Sequence, residues 1–186
     1  MSQKGKGSGE NGWITTYTGK KFYPLSPNPE DVDILDIAHA LSLMCRFNGH
    51  CRVHYSVAQH SVHASLLGQT RQVCLWGLLH DAAEAYLPDV CRPVKMAFKH
   101  FKEWEENILN AVAARYYLPF PTEEEQKEIK RIDNQLVVTE GRDLLRGDIS
   151  DWTVKAKPLD IEIFPKSPKE AEEEFLLRWI DVKDIK

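Results

Sequence analysis

The chain has 186 residues, which is enough for one domain around a single hydrophobic core and too few for two ordinary domains. Hydrophobic residues make up 42% of the chain and charged residues 28%, proportions that exclude a disordered or fibrous protein. The formal net charge of -4 leaves no general basic surface for a nucleic-acid backbone, so we do not expect a polymeric nucleic acid as partner.

Cysteine spacing and hydropathy indicate the compartment. The four cysteines form no Cys-x-x-Cys pair, which argues against a zinc ribbon or a thioredoxin-type redox site. The N-terminus lacks the apolar segment of a secretory signal, and no run of residues has the length of a membrane span. We therefore expect a cytoplasmic protein without a membrane partner. Residues 1–12 are rich in Gly, Ser and Lys and are predicted to be a disordered tail before a folded domain of residues 13–186.

The first third of the folded domain is predicted to hold a small β element and two helices. Residues 13–25 alternate apolar and polar side chains around a Thr-Gly turn, which predicts a short hairpin or an extended flap. Apolar residues at three- and four-residue spacing predict a helix over residues 32–44. Ser56 followed by Gln59 forms a capping box, which predicts a second helix that ends near Leu67.

The middle of the chain is predicted to hold a central helix and a further helical region. Residues 71–86 are apolar with few polar interruptions, as in a helix surrounded by other helices. Residues 93–118 predict one or two helices with an apolar inner face. The residues of that predicted face are Phe98, Phe101, Trp104, Ile108, Val112 and Tyr116.

The last third is predicted to contain two helices separated by an irregular segment. Thr122 and Glu125 form another capping box, and the apolar stripe that follows continues to Gly147. Residues 152–164 predict a loop or a small hairpin. Pro168 is typical of the first position of a helix, so the final helix is expected to begin there. The whole pattern predicts an all-α fold, a single helical bundle with a small N-terminal hairpin or flap.

Adjacent histidine and aspartate residues, His80 and Asp81, stand out in the apolar central helix. Burying both side chains is costly unless a partner or a metal ion compensates them. Imidazole nitrogen and carboxylate oxygen together suit Zn, Mn, Fe, Co or Mg to differing degrees. His60 and Asp133 are the candidates for further ligands, because both lie on inward faces of other predicted helices. The alternative is that all four are hydrogen-bonded core residues, and spacing alone does not decide between the two.

Four segments carry a resemblance to a known family. They are RFNGH (residues 46–50), YSVAQH (55–60), LLHDAAEAYLPDV (78–90) and IDN (132–134). In this order they resemble the motifs of the HD-domain phosphohydrolases, and more narrowly those of the bacterial 5′-deoxynucleotidases and the phage dATP triphosphohydrolases. The resemblance implies that residues 13–186 form one HD-type helical bundle. Because the related deoxynucleotidases are commonly oligomeric, it also makes a homo-oligomer an expectation.

The resemblance implies a role for each residue that matches these motifs. The implied ligands of a divalent ion are His60, His80, Asp81 and Asp133. The implied acid-base carboxylates are Glu84 and Asp89, which would also flank a second ion if one binds. The implied or candidate substrate contacts are Arg46, Phe47, Arg92 and Lys95, with Arg46 as the phosphate contact. Phe47 departs from the tryptophan that the deoxynucleotidases often have at that position, which leaves a base-stacking or steric role for it in doubt.

The function implied by the resemblance is metal-dependent hydrolysis of a (deoxy)nucleoside 5′-phosphate. A 5′-deoxynucleotidase would release phosphate, whereas a dNTP triphosphohydrolase would release triphosphate with the same ligand set. A guanosine-alarmone hydrolase is an alternative within the superfamily. A non-catalytic sensor that binds a metal or a nucleotide is an alternative of another class. An HD-GYP phosphodiesterase is set aside, because the chain contains no Gly-Tyr-Pro.

Overall fold

The computed structural model describes residues 12–183, apart from the side chain of Arg92, so all of the predicted tail except Gly12 lies outside the described residues. The described chain is mostly helical, with seven α-helices and one antiparallel two-stranded hairpin. The strands are β1 (Ile14–Thr15) and β2 (Lys21–Phe22). The helices are α1 (Ile34–Leu43), α2 (Val57–Leu67), α3 (Arg71–Leu79), α4 (Arg92–Lys95), α5 (Phe101–Tyr116), α6 (Glu123–Leu144) and α7 (Pro168–Lys183). No helix between residues 12 and 183 is both long enough and apolar enough to cross a membrane.

Helices α2 and α3 form the centre of the bundle. Helix α2 packs against α1, α3, α6 and α7, and α3 packs against α6 and α7. The Ser56 hydroxyl caps α2 by accepting the Gln59 backbone N–H at 3.1 Å, as the sequence predicts. The Gln59 side chain does not return to Ser56 but binds the backbone of Phe164 and Lys166. These two hydrogen bonds hold the segment before α7 against the buried helix.

A glycine sets the distance between the two central helices. A Cβ atom on Gly77 would lie 3.0 Å from the backbone carbonyl of Ala64 and 3.1 Å from the Ser65 nitrogen. Such contacts are closer than ordinary van der Waals packing allows, so a larger residue at position 77 would push α3 away from α2. The missing side chain therefore brings α2 and α3 close enough for their polar residues to meet.

The predicted central helix over residues 71–86 is wrong in one respect. Helix α3 ends at Leu79, and after a turn at His80 and Asp81 the chain forms a short 3₁₀ segment, Ala82–Ala85. The Nδ1 atom of His80 donates to the Gly77 carbonyl at 2.9 Å and so satisfies one of the free carbonyls at the helix end. The His-Asp pair therefore lies where the helix breaks, not inside it.

The predicted N-terminal hairpin is present and is attached to the bundle by several side chains. Phe22 is fully buried and stacks on Tyr86, with the ring centroids 3.7 Å apart. The buried carboxylate of Asp36 accepts hydrogen bonds from the backbone and hydroxyl of Thr18 in the hairpin turn. The hairpin thus contributes to the core and positions the start of α1.

The position of Phe98 and the end of α6 differ from the prediction, whereas the loop of residues 152–164 and the capping box of α6 agree with it. The region of residues 93–118 contains the one-turn helix α4 and the long helix α5, but Phe98 falls between them and is exposed rather than on an inner face. Residues 152–164 form a loop without strands. The reciprocal capping box of Thr122 and Glu125 is present at the start of α6. That helix ends at Leu144, about one turn earlier than predicted.

Candidate metal centre

Three side chains, one from α2 and two from the turn after α3, converge on one point. The Nε2 atoms of His60 and His80 are 3.3 Å apart, and Oδ2 of Asp81 lies 3.2 Å from the His80 atom and 3.8 Å from the His60 atom. All three potential ligand atoms lie within 4.8 Å of one another. The turn at residues 80 and 81 explains this, because adjacent side chains on a continuous helix would diverge by about 100°.

Hydrogen bonds from the Nδ1 atoms fix the orientation of the two imidazole rings. His60 donates from Nδ1 to Oε1 of Glu140 at 2.7 Å, and His80 donates from Nδ1 to the Gly77 carbonyl at 2.9 Å. In the neutral imidazoles the proton is therefore on Nδ1 and the lone pair on Nε2. Two lone pairs that face each other at 3.3 Å repel unless a proton or a metal cation lies between them. This arrangement fits a metal ion, and His60, His80 and Asp81 form a group that can hold one.

The electrostatics of the centre favour positive charge at His60 Nε2. Burial and the nearby charge of Arg46 lower the pKa of His60, but Glu140 and Asp133 outweigh them and raise it to about 9. A pKa above the usual value of about 6.5 measures a negative potential at the imidazole. The same potential attracts a divalent cation.

The two aspartates of the predicted ligand set are both ionised. Burial opposes this for Asp81, but His80, His60 and Arg46 lower its pKa. Burial also opposes ionisation of Asp133, and hydrogen bonding to His60 together with the two histidine charges holds its pKa well below the usual value. Carboxylates that remain charged when buried are suitable metal ligands.

Asp133 lies at the edge of the centre rather than in the cluster of three. Its Oδ1 atom is 3.4 Å from His60 Nε2, and its Oδ2 atom accepts a hydrogen bond from Lys130 at 2.6 Å. The Lys130 side chain is 62% exposed, so its ammonium group can turn to solvent. Asp133 is therefore placed to add a fourth ligand atom, a carboxylate oxygen, to the cluster by a small rearrangement.

The sequence analysis missed Glu140, which is fully buried behind His60. Its carboxylate accepts hydrogen bonds from His60, from Arg46 Nε at 3.0 Å and from the Tyr55 hydroxyl at 2.8 Å. Burial raises the pKa of Glu140, but Arg46 and His60 outweigh burial and lower it. A signal for this residue was available, because position 140 is seven residues after Asp133 and so lies on the same face of a helix.

The two predicted acid-base carboxylates differ in their surroundings. Glu84 is 6% exposed, and its buried Oε2 atom has no hydrogen-bond partner among the described residues. Burial and the charges of Asp81 and Asp89 raise the pKa of Glu84 well above its usual value, although Lys95 and Arg46 oppose them. Asp89 is half-buried, and burial together with Asp81 raises its pKa as well. Glu84 thus combines a raised pKa with a buried carboxylate oxygen that has no hydrogen-bond partner among the described residues.

The predicted substrate contacts lie at different distances from the centre. Arg46 is largely buried and bridges Glu140 and Asp81, with its NH1 atom 3.6 Å from the Asp81 carboxylate. Lys95 Nζ lies 3.8 Å from Glu84 and donates to Glu105 at 2.6 Å. The Phe47 ring is half-buried against Trp152, at 5.9 Å between centroids. The predicted role of Arg92 concerns a side chain outside the described part of the protein.

A pocket of about 480 Å³ adjoins the centre on the side of α5 and α6. His80, Asp81 and Asp133 contribute to its lining. The volume lies within the range of about 300–1,000 Å³ that is typical of small-molecule sites. The candidate ligands therefore face a space that can admit a substrate.

Two curated proteins are similar to this chain. The uncharacterized protein YfdR of Escherichia coli is 37% identical over 177 residues, which cover 94% of this chain and 97% of YfdR. An uncharacterized protein of Rhodobacter capsulatus is 37% identical over 116 residues, which cover 58% of this chain and 59% of that protein. No protein-family model matches the chain. The similarity to YfdR extends over almost the full length of both proteins.

Proposed function

This chain belongs to the family that includes YfdR of Escherichia coli, and we propose that it is a divalent-metal-dependent phosphohydrolase of the HD type that acts on a (deoxy)nucleoside 5′-phosphate. The observation that carries the proposal is the convergence of His60, His80 and Asp81, with the Nε2 atoms of both imidazoles directed to one point. Asp133 is the proposed fourth ligand. A divalent ion held by these residues would supply Lewis-acid activation of water and neutralise charge on phosphoryl oxygens.

Glu84 is the proposed proton donor. Its raised pKa favours the protonated carboxyl group, and its Oε2 atom, which has no partner among the described residues, is free to hydrogen-bond to a substrate oxygen. Glu84 would donate its proton to the leaving oxygen as the P–O bond breaks, and the proton released by the attacking water would restore the carboxyl group. A second ion beside Glu84 and Asp89 would remove this proton, so at Glu84 the acid role and the second-ion role exclude each other.

Two cationic side chains lie near the carboxylates of the centre: Arg46 NH1 is 3.6 Å from Asp81, and Lys95 Nζ is 3.8 Å from Glu84. Arg46 is proposed to contact phosphate oxygens, since its planar guanidinium offers several donors and only two of its nitrogens are engaged with Glu140 and Asp81. Lys95 and Arg92 are proposed as further cationic contacts. Release of phosphate or of triphosphate would use the same residues, so both substrate types belong to this proposal.

The proposal is tested by a product assay on the full chain loaded in turn with Mn²⁺, Co²⁺, Mg²⁺ or Zn²⁺. The substrates are the ribo- and deoxynucleoside 5′-mono- and triphosphates, with guanosine tetraphosphate included for the alarmone alternative. We expect metal-dependent release of phosphate or triphosphate that is abolished in Asp81→Asn and retained in Asp148→Asn, a substitution at an exposed surface aspartate. Metal binding without turnover of any of these compounds would contradict the proposal and favour the sensor.

A further inference from the structure

The pocket beside the metal centre has one aromatic wall, and that wall is fixed in place. The indole N–H of Trp76 donates to the Pro119 carbonyl at 2.9 Å, and the side-chain amide of Gln72 donates to the same carbonyl. Phe120, the next residue, stacks on Trp76 with the ring centroids 5.1 Å apart and the planes inclined by 23°. Phe120 is nevertheless 53% exposed. An exposed ring held rigidly at a pocket wall is a preformed stacking surface.

Two side-chain amides lie beside this surface. Asn110 of α5 is exposed and forms no side-chain hydrogen bond within residues 12–183. Gln126 of α6 donates from its amide nitrogen to the Pro121 carbonyl at 2.9 Å, which leaves its amide oxygen without a partner among the described residues. Each amide can offer a donor, an acceptor or both to a ligand. A planar group stacked on Phe120 would therefore find hydrogen-bonding groups near its edge.

The two sides of the centre differ in chemistry. On the pocket side, apolar atoms of Trp76, Leu109, Phe120 and Ile129 line most of the wall. Arg46 is not part of this lining and lies within ion-pair distance of Asp81 and Glu140. A ligand with an aromatic heterocycle at one end and a phosphate at the other matches this division.

We propose that this pocket is the nucleobase site of the protein, with the base stacked on Phe120 and its edge read by Asn110 and Gln126. The inference rests on the proposed function, because that function places the phosphate at the metal centre. His80, Asp81 and Asp133 contribute to the lining of the pocket, so a base in the pocket is connected directly to a phosphate at these ligands. Base preference is then set by residues of α5, α6 and their connection.

The test uses the metal-loaded full chain and two substitutions, Phe120→Ala and Asn110→Ala. Phe98→Ala is the matched control, because Phe98 is 52% exposed and lies outside the pocket. Binding of the four deoxynucleosides, which lack a phosphate, is measured by isothermal titration calorimetry. We expect Phe120→Ala to weaken the best of them about tenfold, a typical loss for one stacked base, while Phe98→Ala leaves binding unchanged. Hydrolysis of the matching nucleotide should show the same loss in kcat/KM, whereas 2-deoxyribose 5-phosphate, which has no base, should be unaffected.

The outcomes separate this inference from the proposed function. Nucleoside binding that depends on Phe120, in a protein that hydrolyses nothing, would support the base site and overturn the phosphohydrolase. Nucleotide hydrolysis that is unchanged in both Phe120→Ala and Asn110→Ala would overturn the base site but would agree with the proposed phosphohydrolase function. An equal loss on the nucleotide and on 2-deoxyribose 5-phosphate would also overturn the base site, since Phe120 would then act on the centre itself. If the unaltered protein neither bound a nucleoside nor hydrolysed a nucleotide, the base site and the phosphohydrolase would both be overturned.

Discussion

The direction in which His60 presents its lone pair depends on Glu140. The carboxylate holds the proton on Nδ1 at 2.7 Å, and Arg46 and Tyr55 in turn hold the carboxylate. Carboxylates that accept a hydrogen bond from a metal-binding histidine fix its orientation and make its other nitrogen a stronger donor. Glu140 is therefore a positioning residue for the candidate centre.

We expect Glu140→Gln to weaken metal binding about 10–100-fold, because the amide keeps the shape but not the charge that supports His60. The measurement is a competition titration with a chromogenic chelator on the folded variant. Glu128→Gln on the same helix is the control, since Glu128 pairs with Arg131 away from the centre. Circular dichroism of both variants reports whether the fold is retained. If the folded Glu140→Gln protein bound the metal with wild-type affinity, Glu140 would have no role in positioning His60 for the metal.

Glu84→Gln separates proton transfer from metal binding. The carboxyl group of Glu84, whose pKa is raised, can act as a general acid, and the amide of Gln cannot. We therefore expect the rate of nucleotide hydrolysis to fall about 10²–10⁴-fold. Metal affinity and Tm should change little, because Glu84 has no direct contact with His60 or His80 among the described residues.

The matched control for this prediction is Glu105→Gln. Glu105 is the closer carboxylate partner of Lys95, at 2.6 Å, so its replacement disturbs Lys95 without touching Glu84. A rate for Glu84→Gln within about threefold of wild type would contradict the acid role. A rate lost in both variants would point to Lys95 as the important group.

Residue types in the sequence were enough to find the candidates of the centre but not their supporting bonds. Three of the four predicted ligands, His60, His80 and Asp81, converge, and Asp133 lies beside them. Apolar periodicity placed His60 and Asp133 on inward helix faces. Glu140 escaped notice because a single Glu on a helix is usually solvated, and its burial depends on Arg46 and Tyr55, nearly a hundred residues away in the chain. The spacing from Asp133 could have placed Glu140 on the inward helix face, but its pairing with Arg46 and Tyr55 has no local signal.

At the scale of elements, the site depends on the end of α3 and on the close approach of α2 and α3. Residues 82–85, Ala-Ala-Glu-Ala, are strong helix formers, so local propensity predicts that α3 continues through them. The fold instead turns at Asp81, whose φ of -99° and ψ of 10° are not helical. The bond from His80 to the Gly77 carbonyl and the contacts of residues 82–85 with α1 and α5 replace the helical ones. Tertiary contacts here override propensity, which sequence alone could not indicate.

Gly77→Ala tests whether helix spacing controls the centre. The added methyl group would meet the backbone of α2 at about 3.0 Å, and a helix backbone cannot yield as a flexible side chain can. We expect a loss of about 1–3 kcal/mol in the free energy of unfolding, as for other overpacked contacts. Metal affinity should fall as well, because α3 would move His80 away from His60.

Gly147→Ala is the control for that substitution, since no heavy atom lies within 4 Å of a Cβ placed there. Urea denaturation gives the unfolding free energies, and the chelator competition gives the metal affinities. If Gly77→Ala proved as stable and as metal-competent as Gly147→Ala, the close approach of the two helices would not control the site.

At the scale of the whole molecule, the candidate ligands come from three separate parts of the bundle: α2 gives His60, the turn after α3 gives His80 and Asp81, and α6 gives Asp133. An ion bound by all of them would add a cross-link to the packing of these parts and to the hydrogen bond from His60 of α2 to Glu140 of α6. Periodicity and capping boxes predicted that these helices exist, but not how they pack together. The shared pocket beside the ligands is a property of that packing.

Because the unfolded chain does not hold these four side chains together, metal binding should stabilise the fold. A metal concentration of 100 times Kd adds about 2.7 kcal/mol by mass action, which corresponds to a rise in Tm of about 5–10 °C for a protein of this size. Differential scanning calorimetry with and without a chelator measures the shift. Asp148→Asn should show the full rise and His80→Ala little of it. An equal rise in both variants would mean that the ion binds elsewhere, and the assignment of these four residues as a single site would then be wrong.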